Sequence, residues 1–438
     1  MNLYLESLGC ARNLVDSEIM LGRFAADHWQ ITKDPARAHV IIVNTCSFIE
    51  PAVNESIDTI LELAKFREKG TCKRLIVAGC LPERFREEIA EALPEVDAFL
   101  GTGAFDQILD AAKITSPEHT CTLTDPNAAE LLLPETPRIL TCSHTAYLKI
   151  AEGCERHCTY CIIPKLRGRL RSRPLDDIVT EAGRLIASGV REIVLVAQES
   201  TAYGHDLTTI AGLGQLLEKI AMISKDVWIR VLYGHPQSID KQAIDVVARH
   251  SNICAYFDLP IQHAEDRLLQ RMGRHYSRDN LYQLFDTIRA RVPQAVLRTT
   301  VIVGFPGETD QDFRQLMQFV KNVRFDNLGV FTYSDSEDLA SHHLGDHVSP
   351  KKAKQRYDEL MACQKSISFE NNNRHIGKAY DVLMDEAPEE NLFIGRTCFQ
   401  APEVDGITYV QAHGLKIGEF VRVKIIDALG YDLSGEPV

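Results

Sequence analysis

The chain has no apolar run long enough to cross a bilayer, which takes about 20 residues in a helix. Its longer runs, such as Val40–Val43 and Ile193–Ala197, end within a strand's length. Basic charge is also scarce: 48 Lys and Arg face 61 Asp and Glu, a net of −13. That balance excludes a protein that coats nucleic acid indiscriminately. The opening M-N-L-Y-L-E-S-L lacks the basic start and apolar stretch of a secretory signal, so a cytoplasmic enzyme with no membrane partner is expected. A phosphate loop is missing too, since V-G-F-P-G-E-T-D (Val303–Asp310) leads to no G-K-S/T. That run reads as a tight turn into a helix capped by Thr309. G-T-G-A-F-D at 101–106 places Asp106 where a dinucleotide fingerprint carries its third glycine.

Cysteine, by contrast, is present twelve times. In a chain of 438 residues with a reducing setting, that number points to metal rather than to disulfides. Cys154, Cys158 and Cys161 form C-x3-C-x2-C in G-C-E-R-H-C-T-Y-C, at the end of a strand-like segment. Four-cysteine runs ligate every iron of a four-iron cluster. Three leave one iron open to bind something else. A zinc knuckle or buried thiols are the plainer alternatives, but no C-x2-C or H-x3-H partner lies within zinc-finger range.

Residues 1–118 alternate short strands (Leu3–Leu8, His39–Thr45, Arg74–Gly79, Val96–Leu100) with helical patterns (Leu14–Asp27, Phe48–Phe66, Pro82–Ala92). This rhythm predicts a doubly wound parallel sheet. Cys10, Cys46 and Cys80 each follow one of its strands. The carboxyl ends of parallel strands share one edge, where ligands bind, so the three converge on a second cluster site. Residues 119–143, rich in Pro and Thr, read as a linker with room for one hairpin, and Cys121 and Cys142 within it as incidental.

Residues 144–373 repeat strand and helix six times, which predicts an open, partial (β/α)6 barrel with its site at the carboxyl ends of the strands. The strands are expected at Ala146–Ala151, Glu192–Ala197, Val227–Leu232, Ala255–Pro260, Ala295–Val303 and Asn327–Tyr333. One of the helices is expected at Ile210–Ile223. Residues 376–438 switch to strand alternation with turns at P-E-E-N, V-D-G and L-S-G, a small antiparallel β-barrel. From Gly377 onward five Lys/Arg face eleven Asp/Glu. Such a module favours a basic partner, with Glu389 and Glu390 as candidate substrate contacts.

A reducing cluster with a free iron can split the sulfonium of S-adenosylmethionine, chelated through its amino and carboxylate groups. Tyr160 is a candidate to lie against the adenine, or else a packing aromatic. Gln198 and Glu199 end the second barrel strand, where a carboxylate can pair with the ligand's ammonium or cap a helix. Arg298 is a candidate for the ligand carboxylate or a structural ion pair. The basic run Lys165–Arg173 meets substrate or cofactor charge at the barrel mouth, or is a solvated face. No side chain announces itself as a general base.

Two three-cysteine sites plus a terminal barrel resemble the radical S-adenosylmethionine methylthiotransferases along nearly the whole chain. The resemblance implies two 4Fe–4S clusters, an auxiliary one on Cys10, Cys46 and Cys80 and a radical one on Cys154, Cys158 and Cys161. It also implies a terminal TRAM domain for substrate recognition and an external low-potential electron donor. S-L-G-C-A-R-N-L-V-D-S-E, N-T-C-S-F-I-E, E-S-I-D-T-I-L-E and I-I-P-K-L-R-G-R-L-R-S-R-P look like the type that modifies the β-carbon of an aspartate in ribosomal protein S twelve. A type acting on a tRNA adenosine beside the anticodon is the alternative, and the acidic terminal module argues against it. A two-cluster electron carrier would account for six cysteines but not for the barrel.

Overall fold

Strand residues near the amino terminus alternate between two cores, as a sheet covered on both faces requires. Ile41, Val43, Leu75 and Val77 pack with Ile60 and Leu63 in one layer. Val40, Ile42, Ile76 and Ala78 pack with Met20, Phe24 and Ile108 in the other. The computed structural model describes residues 1–114, 119–129, 135–208 and 212–438. The expected boundary at 118, the middle of the expected linker and the expected helix start at Ile210 lie outside the described residues.

The first unit runs β1 (Asn2–Ser7), α1 (Ala11–Ala26), β2 (Gln30–Ile31), β3 (Val40–Thr45), α2 (Glu50–Ala64) and α3 (Phe66–Lys69). It continues with β4 (Arg74–Gly79), α4 (Cys80–Phe85), α5 (Glu88–Ala92), β5 (Ala98–Leu100), α6 (Ile108–Lys113) and β6 (Thr120–Thr122). All six strands pair in parallel in the order β2-β1-β3-β4-β5-β6. The doubly wound sheet is as expected, with two strands more than the sequence reading assigned. β6 falls inside the expected linker and extends the sheet beside β5. The order reverses between β1 and β3, which makes that edge a topological switch point.

The second unit contains β7 (Thr145–Lys149), β8 (Ala151–Glu152), α7 (Ile163–Arg167), β9 (Arg171–Ser172), α8 (Leu175–Ala187), β10 (Glu192–Val196), α9 (Leu213–Ala221) and β11 (Trp228–Val231). Then come α10 (Lys241–Arg249), β12 (Tyr256–Asp258), α11 (Asp266–Arg271), α12 (Arg278–Arg291), β13 (Val296–Val303), α13 (Asp310–Val323), β14 (Asn327–Thr332) and α14 (Pro350–Asn373). Six parallel strands follow one another as β7-β10-β11 and β12-β13-β14, joined by a bridge between Ile229 and Ile253. This is the open partial barrel. Thr309 caps α13 in a reciprocal box with Asp312, as the sequence predicts.

Helix α1 is apolar on two sides because it is packed on two sides. Met20 and Phe24 face the first sheet. Ala11, Val15 and Ile19 instead pack on Tyr147, Val194, Val196, Leu232 and Tyr256 of the barrel strands. The helix that follows Cys10 is therefore the shared wall of both units.

The terminal unit closes as β15 (Ala379–Glu389), β16 (Leu392–Thr397), β17 (Thr408–Gln411), β18 (Phe420–Leu429) and β19 (Asp432–Pro437), ordered β15-β16-β17-β19-β18. L-S-G, expected as a turn, lies inside β19. Gly435 is needed there because a Cβ would run into the side chain of Val423 and the carbonyl of Lys424. Buried ion pairs dock this unit on the barrel. Arg396 pairs with Glu192 of β10 at 2.6 Å, and Arg230 of β11, held by the same carboxylate at 2.8 Å, donates to the Cys398 carbonyl at 3.0 Å.

Candidate active site

The first three cysteines meet because their strands end on one edge. Gly9 holds φ +90°, and a Cβ on it would stand 2.6 Å from Cys46 Cβ. Only glycine lets the β1 turn and the β3 end approach so closely. The Cys46 backbone is tied down by Ser56, whose hydroxyl donates to its carbonyl at 2.8 Å. Ser47 Oγ donates to the Cys80 carbonyl at 2.8 Å. The thiols sense one another: burial, then Cys80 and Cys10, push the Cys46 thiol up to about 11. Burial also acts upward on Cys10, but Arg12 and Arg167 outweigh it and hold that thiol below its ordinary value.

The second three lie in the loop after β8. Gly153 sits at φ +78°, where a Cβ would collide with the Arg169 carbonyl. Cys154 N donates to Gly168 O at 3.1 Å and Cys161 N to Cys158 O at 3.0 Å. Burial pushes Cys154 up to about 11 and Cys161 up to about 12. An open cavity of about 430 Å³ is lined by Arg156, Cys158, Cys161, Lys165, Glu337 and Asp338, among others.

The two sets are joined through one small apolar cluster. Cys80 packs against Ile162, Leu166 and Leu339, and Ile162 directly follows Cys161. Among the described residues no three His, Cys, Asp or Glu close round a single metal ion. A four-iron cluster takes each thiolate on a different iron. Thiols from three separate strand ends, with guanidiniums beside them, fit an anionic cluster of that kind.

The expected ligand contacts have partners in the structure. The Tyr160 hydroxyl accepts from Arg274 Nε at 2.9 Å and Nη2 at 2.6 Å, and its ring meets Phe305 edge-on. Glu199 is held by Arg156 through Nε at 2.9 Å and Nη2 at 3.0 Å, and also accepts from Ser238. Its Oε2 stands 3.9 Å from Cys154 Sγ, beside the second triad. Gln198 donates to Glu152, the last residue of β8. Arg298 is different. It pairs through Nη1 with Asp258 at 2.8 Å and stands with Nε 3.5 Å from Asp405 of the terminal barrel, the contacts of a structural ion pair. Glu389 and Glu390 are exposed at the tip of the β15–β16 hairpin.

The basic run is divided: Lys165, exposed, lines the open cavity beside Cys158 and Cys161, Arg169 is exposed, and Arg167 and Arg173 are buried. Arg167 pairs with Asp16, Arg173 with Glu181 at 2.7 Å, and Arg171 donates to the carbonyls of Pro126 and Ala129. Lys165 Nζ donates to the Asp338 carbonyl at 2.6 Å. Arg167 thus fastens the barrel to the first unit, while Arg173 holds α8 within the barrel. Asp16, Lys149 and Glu152, absent from the expected site, complete this network: Lys149 pairs with both carboxylates while fully enclosed. Burial alone would raise the Glu152 carboxyl, yet Lys149 and Arg167 bring it down to about 2. A lysine within a buried strand was the available signal.

Family models match three stretches: Uncharacterized protein family UPF0004 over residues 2–101, the Radical SAM superfamily over 148–320 and the TRAM domain over 376–438. Among solved structures, the radical S-adenosylmethionine methyltransferase TsrM from Kitasatospora setae shares the fold with a TM-score of 0.59. Its identity is 12%, and the match covers 84% of this chain and 89% of that one. A protein of Desulfosudis oleivorans named ribosomal protein uS12 methylthiotransferase RimO is 52% identical over 440 residues, covering 100% of both chains. The protein of that name from Clostridioides difficile is 47% identical, covering 100% of this chain and 98% of its own. Full-length likeness at this level, with the two cysteine triads, assigns the chain to the RimO family of radical SAM methylthiotransferases.

Proposed function

We propose that this protein methylthiolates the β-carbon of an aspartate in ribosomal protein uS12, the S twelve of the small subunit. The observation that carries the reading is the packing of Cys80, of the first triad, on Ile162, the residue after Cys161 of the second. The full-length match to relatives named for this activity supports the same reaction.

In this reading Cys154, Cys158 and Cys161 hold one 4Fe–4S cluster, and Cys10, Cys46 and Cys80 hold an auxiliary one. When bound, these groups supply electrons to S-adenosylmethionine, a 5′-deoxyadenosyl radical for hydrogen abstraction, and the sulfur that is inserted. The chain's own residues bind and aim. Glu199, already bridged by Arg156 beside Cys154, presents a carboxylate for the ligand's ammonium. Gln198 fixes the strand end through Glu152. Tyr160 is anchored at its hydroxyl by Arg274, which leaves its ring to wall the adenine side. Arg298 serves the docking of the terminal barrel rather than the ligand carboxylate.

Glu389 and Glu390 offer a basic protein an exposed acidic tip. The internal use of Arg167, Arg171 and Arg173 removes the one run that favoured RNA, so tRNA is not the substrate in this reading. Electrons come from an external low-potential donor, and the setting is the cytoplasm. Among the described residues no helix is long and apolar enough to cross a membrane.

The deciding experiment offers reconstituted protein, S-adenosylmethionine and reductant a peptide of the uS12 loop or, separately, an anticodon stem-loop. A mass gain of one methylthio group on the peptide is expected. Gain on the RNA alone would overturn the substrate, and no 5′-deoxyadenosine from any mixture would overturn the chemistry.

A further inference from the structure

Arg167 belongs to the barrel unit, yet its guanidinium reaches the first triad. Its Nη2 lies 3.5 Å from Cys80 Sγ and also donates to Asn13 Oδ1. Its Nη1 donates to Asp16 Oδ2 at 2.9 Å. The residue is 4% exposed, so these contacts are made away from bulk water.

Asn13 passes the contact on. Its Nδ2 donates to Leu8 O at 3.1 Å and to Thr45 O at 2.8 Å. Those carbonyls belong to the chain just before Cys10 and just before Cys46. One guanidinium therefore touches the Cys80 thiol directly and steadies the segments that carry the other two. On its own side it is equally fixed, because the next residue, Gly168, accepts from Cys154 N at 3.1 Å.

The charges around it are arranged for an anion at the thiols. Asp16 is shared between Arg167 and Lys149, and Glu152 pairs with Lys149 at 2.8 Å and stands 3.6 Å from Arg167. Two cations and two carboxylates balance there. Arg12 adds a further cation, directed at Ala197 O at 2.9 Å and over the Tyr233 ring, with no salt bridge among the described residues. Arg12 is half-buried, and withdrawing an unpaired guanidinium from water even in part is costly unless something negative shares its site. A cluster on three thiolates is such a group.

We infer that Arg167 is a positioning residue of the auxiliary cluster: it gives the Cys80 thiolate a charge-assisted hydrogen bond and raises the cluster's reduction potential from across the domain boundary. Hydrogen bonds to cluster sulfurs and nearby positive charge stabilise the more negative, reduced state. The auxiliary cluster then has its full potential only while the barrel is docked and Cys154 holds Gly168 in place. This rests on ligation by Cys10, Cys46 and Cys80 as proposed above.

The test isolates that cluster in a Cys154→Ala, Cys158→Ala, Cys161→Ala background of the full chain. Arg167, Arg167→Lys and Arg167→Gln forms are compared by iron content and by redox titration followed by electron paramagnetic resonance. The expected result is a more negative midpoint for Arg167→Gln at equal iron, with Arg167→Lys returning part of the shift. Equal midpoints in all three overturn the inference while leaving the ligation intact. If Arg167→Gln loses iron, Asp16→Asn decides: it keeps the arginine and removes a neighbouring negative charge, so its midpoint should rise, and an unchanged or lower one overturns the inference. Failure of the background itself to bind a cluster overturns the ligation reading instead.

Discussion

His144 Nε2 lies 3.0 Å from Asp385 Oδ1, joining the residue before β7 to the first strand of the terminal barrel. Asp385 also accepts from Arg396 Nε at 2.7 Å, and Arg396 reaches on to Glu192. Asp385, with the Cys142 thiol second, raises the imidazole to about 9. Its contribution is complete below the ordinary histidine range near pH 6.5 and disappears as pH rises through about 9. Thermal unfolding between pH 6 and 10, together with proteolysis near residues 374–378, should show the terminal barrel loosening over that window. His144→Asn should flatten the dependence; an unaltered pH profile in that variant would remove His144 as its source.

Arg298 supplies a second link, and the expected effect of its loss separates two roles. The guanidinium pairs with Asp258 and Asp405, and Asp405 also accepts from the Tyr256 hydroxyl. Arg298→Met leaves two buried carboxylates without their cation. Removing one partner of a buried pair costs about 3 kcal/mol. Denaturant unfolding should register that loss, while affinity for S-adenosylmethionine measured by equilibrium dialysis stays the same. Lost affinity at unchanged stability would return Arg298 to the ligand carboxylate.

The features readable from sequence were those with a short period. Hydrophobic alternation and strand–helix rhythm announce the first sheet and the six-stranded barrel. The rule that parallel strands end on one edge brings Cys10, Cys46 and Cys80 together before any coordinates. Elements too short to carry a period escaped, notably β2 at Gln30–Ile31 and β6 at Thr120–Thr122. Gly435 disguised β19 as a turn, because a glycine chosen for close packing looks like one chosen for positive φ. The partners of Arg298 and Arg167 were invisible for another reason: Asp405 and Asp16 are distant in sequence, and ion pairing between domains has no local spacing to read. So Arg167 and Arg173 looked like surface when they are interior.

Separate roles for the triads predict separate losses. Cys154→Ala should abolish S-adenosylmethionine cleavage and substrate modification together, since the proposed function places Cys154 in the radical set. Cys46→Ala should leave cleavage measurable while methylthio transfer disappears. Chromatography of 5′-deoxyadenosine alongside mass spectrometry of the peptide reads both in one mixture. Equal loss in both variants would contradict the division, although the packing of Cys80 on Ile162 makes some coupling of rates expected.

Recognition of uS12 by the terminal barrel is an electrostatic claim with its own salt signature. Two of its acids, Asp385 and Asp405, are spent on Arg396, His144 and Arg298, so the net charge from sequence overstates what a partner meets. Glu389 and Glu390 remain exposed at the hairpin tip. Exposed charges act over about 8 Å at physiological ionic strength and farther in dilute salt. Reversing both to Lys should therefore weaken binding of the basic protein most at low salt, mainly through a slower association rate. Stability should hardly change, because neither side chain has a buried partner to lose. Surface-plasmon binding at several ionic strengths, beside turnover of a short peptide too small to reach the barrel, distinguishes docking from chemistry. Slower association with intact peptide turnover is the expected pair of results, whereas equal affinity at every salt concentration would place recognition on another face.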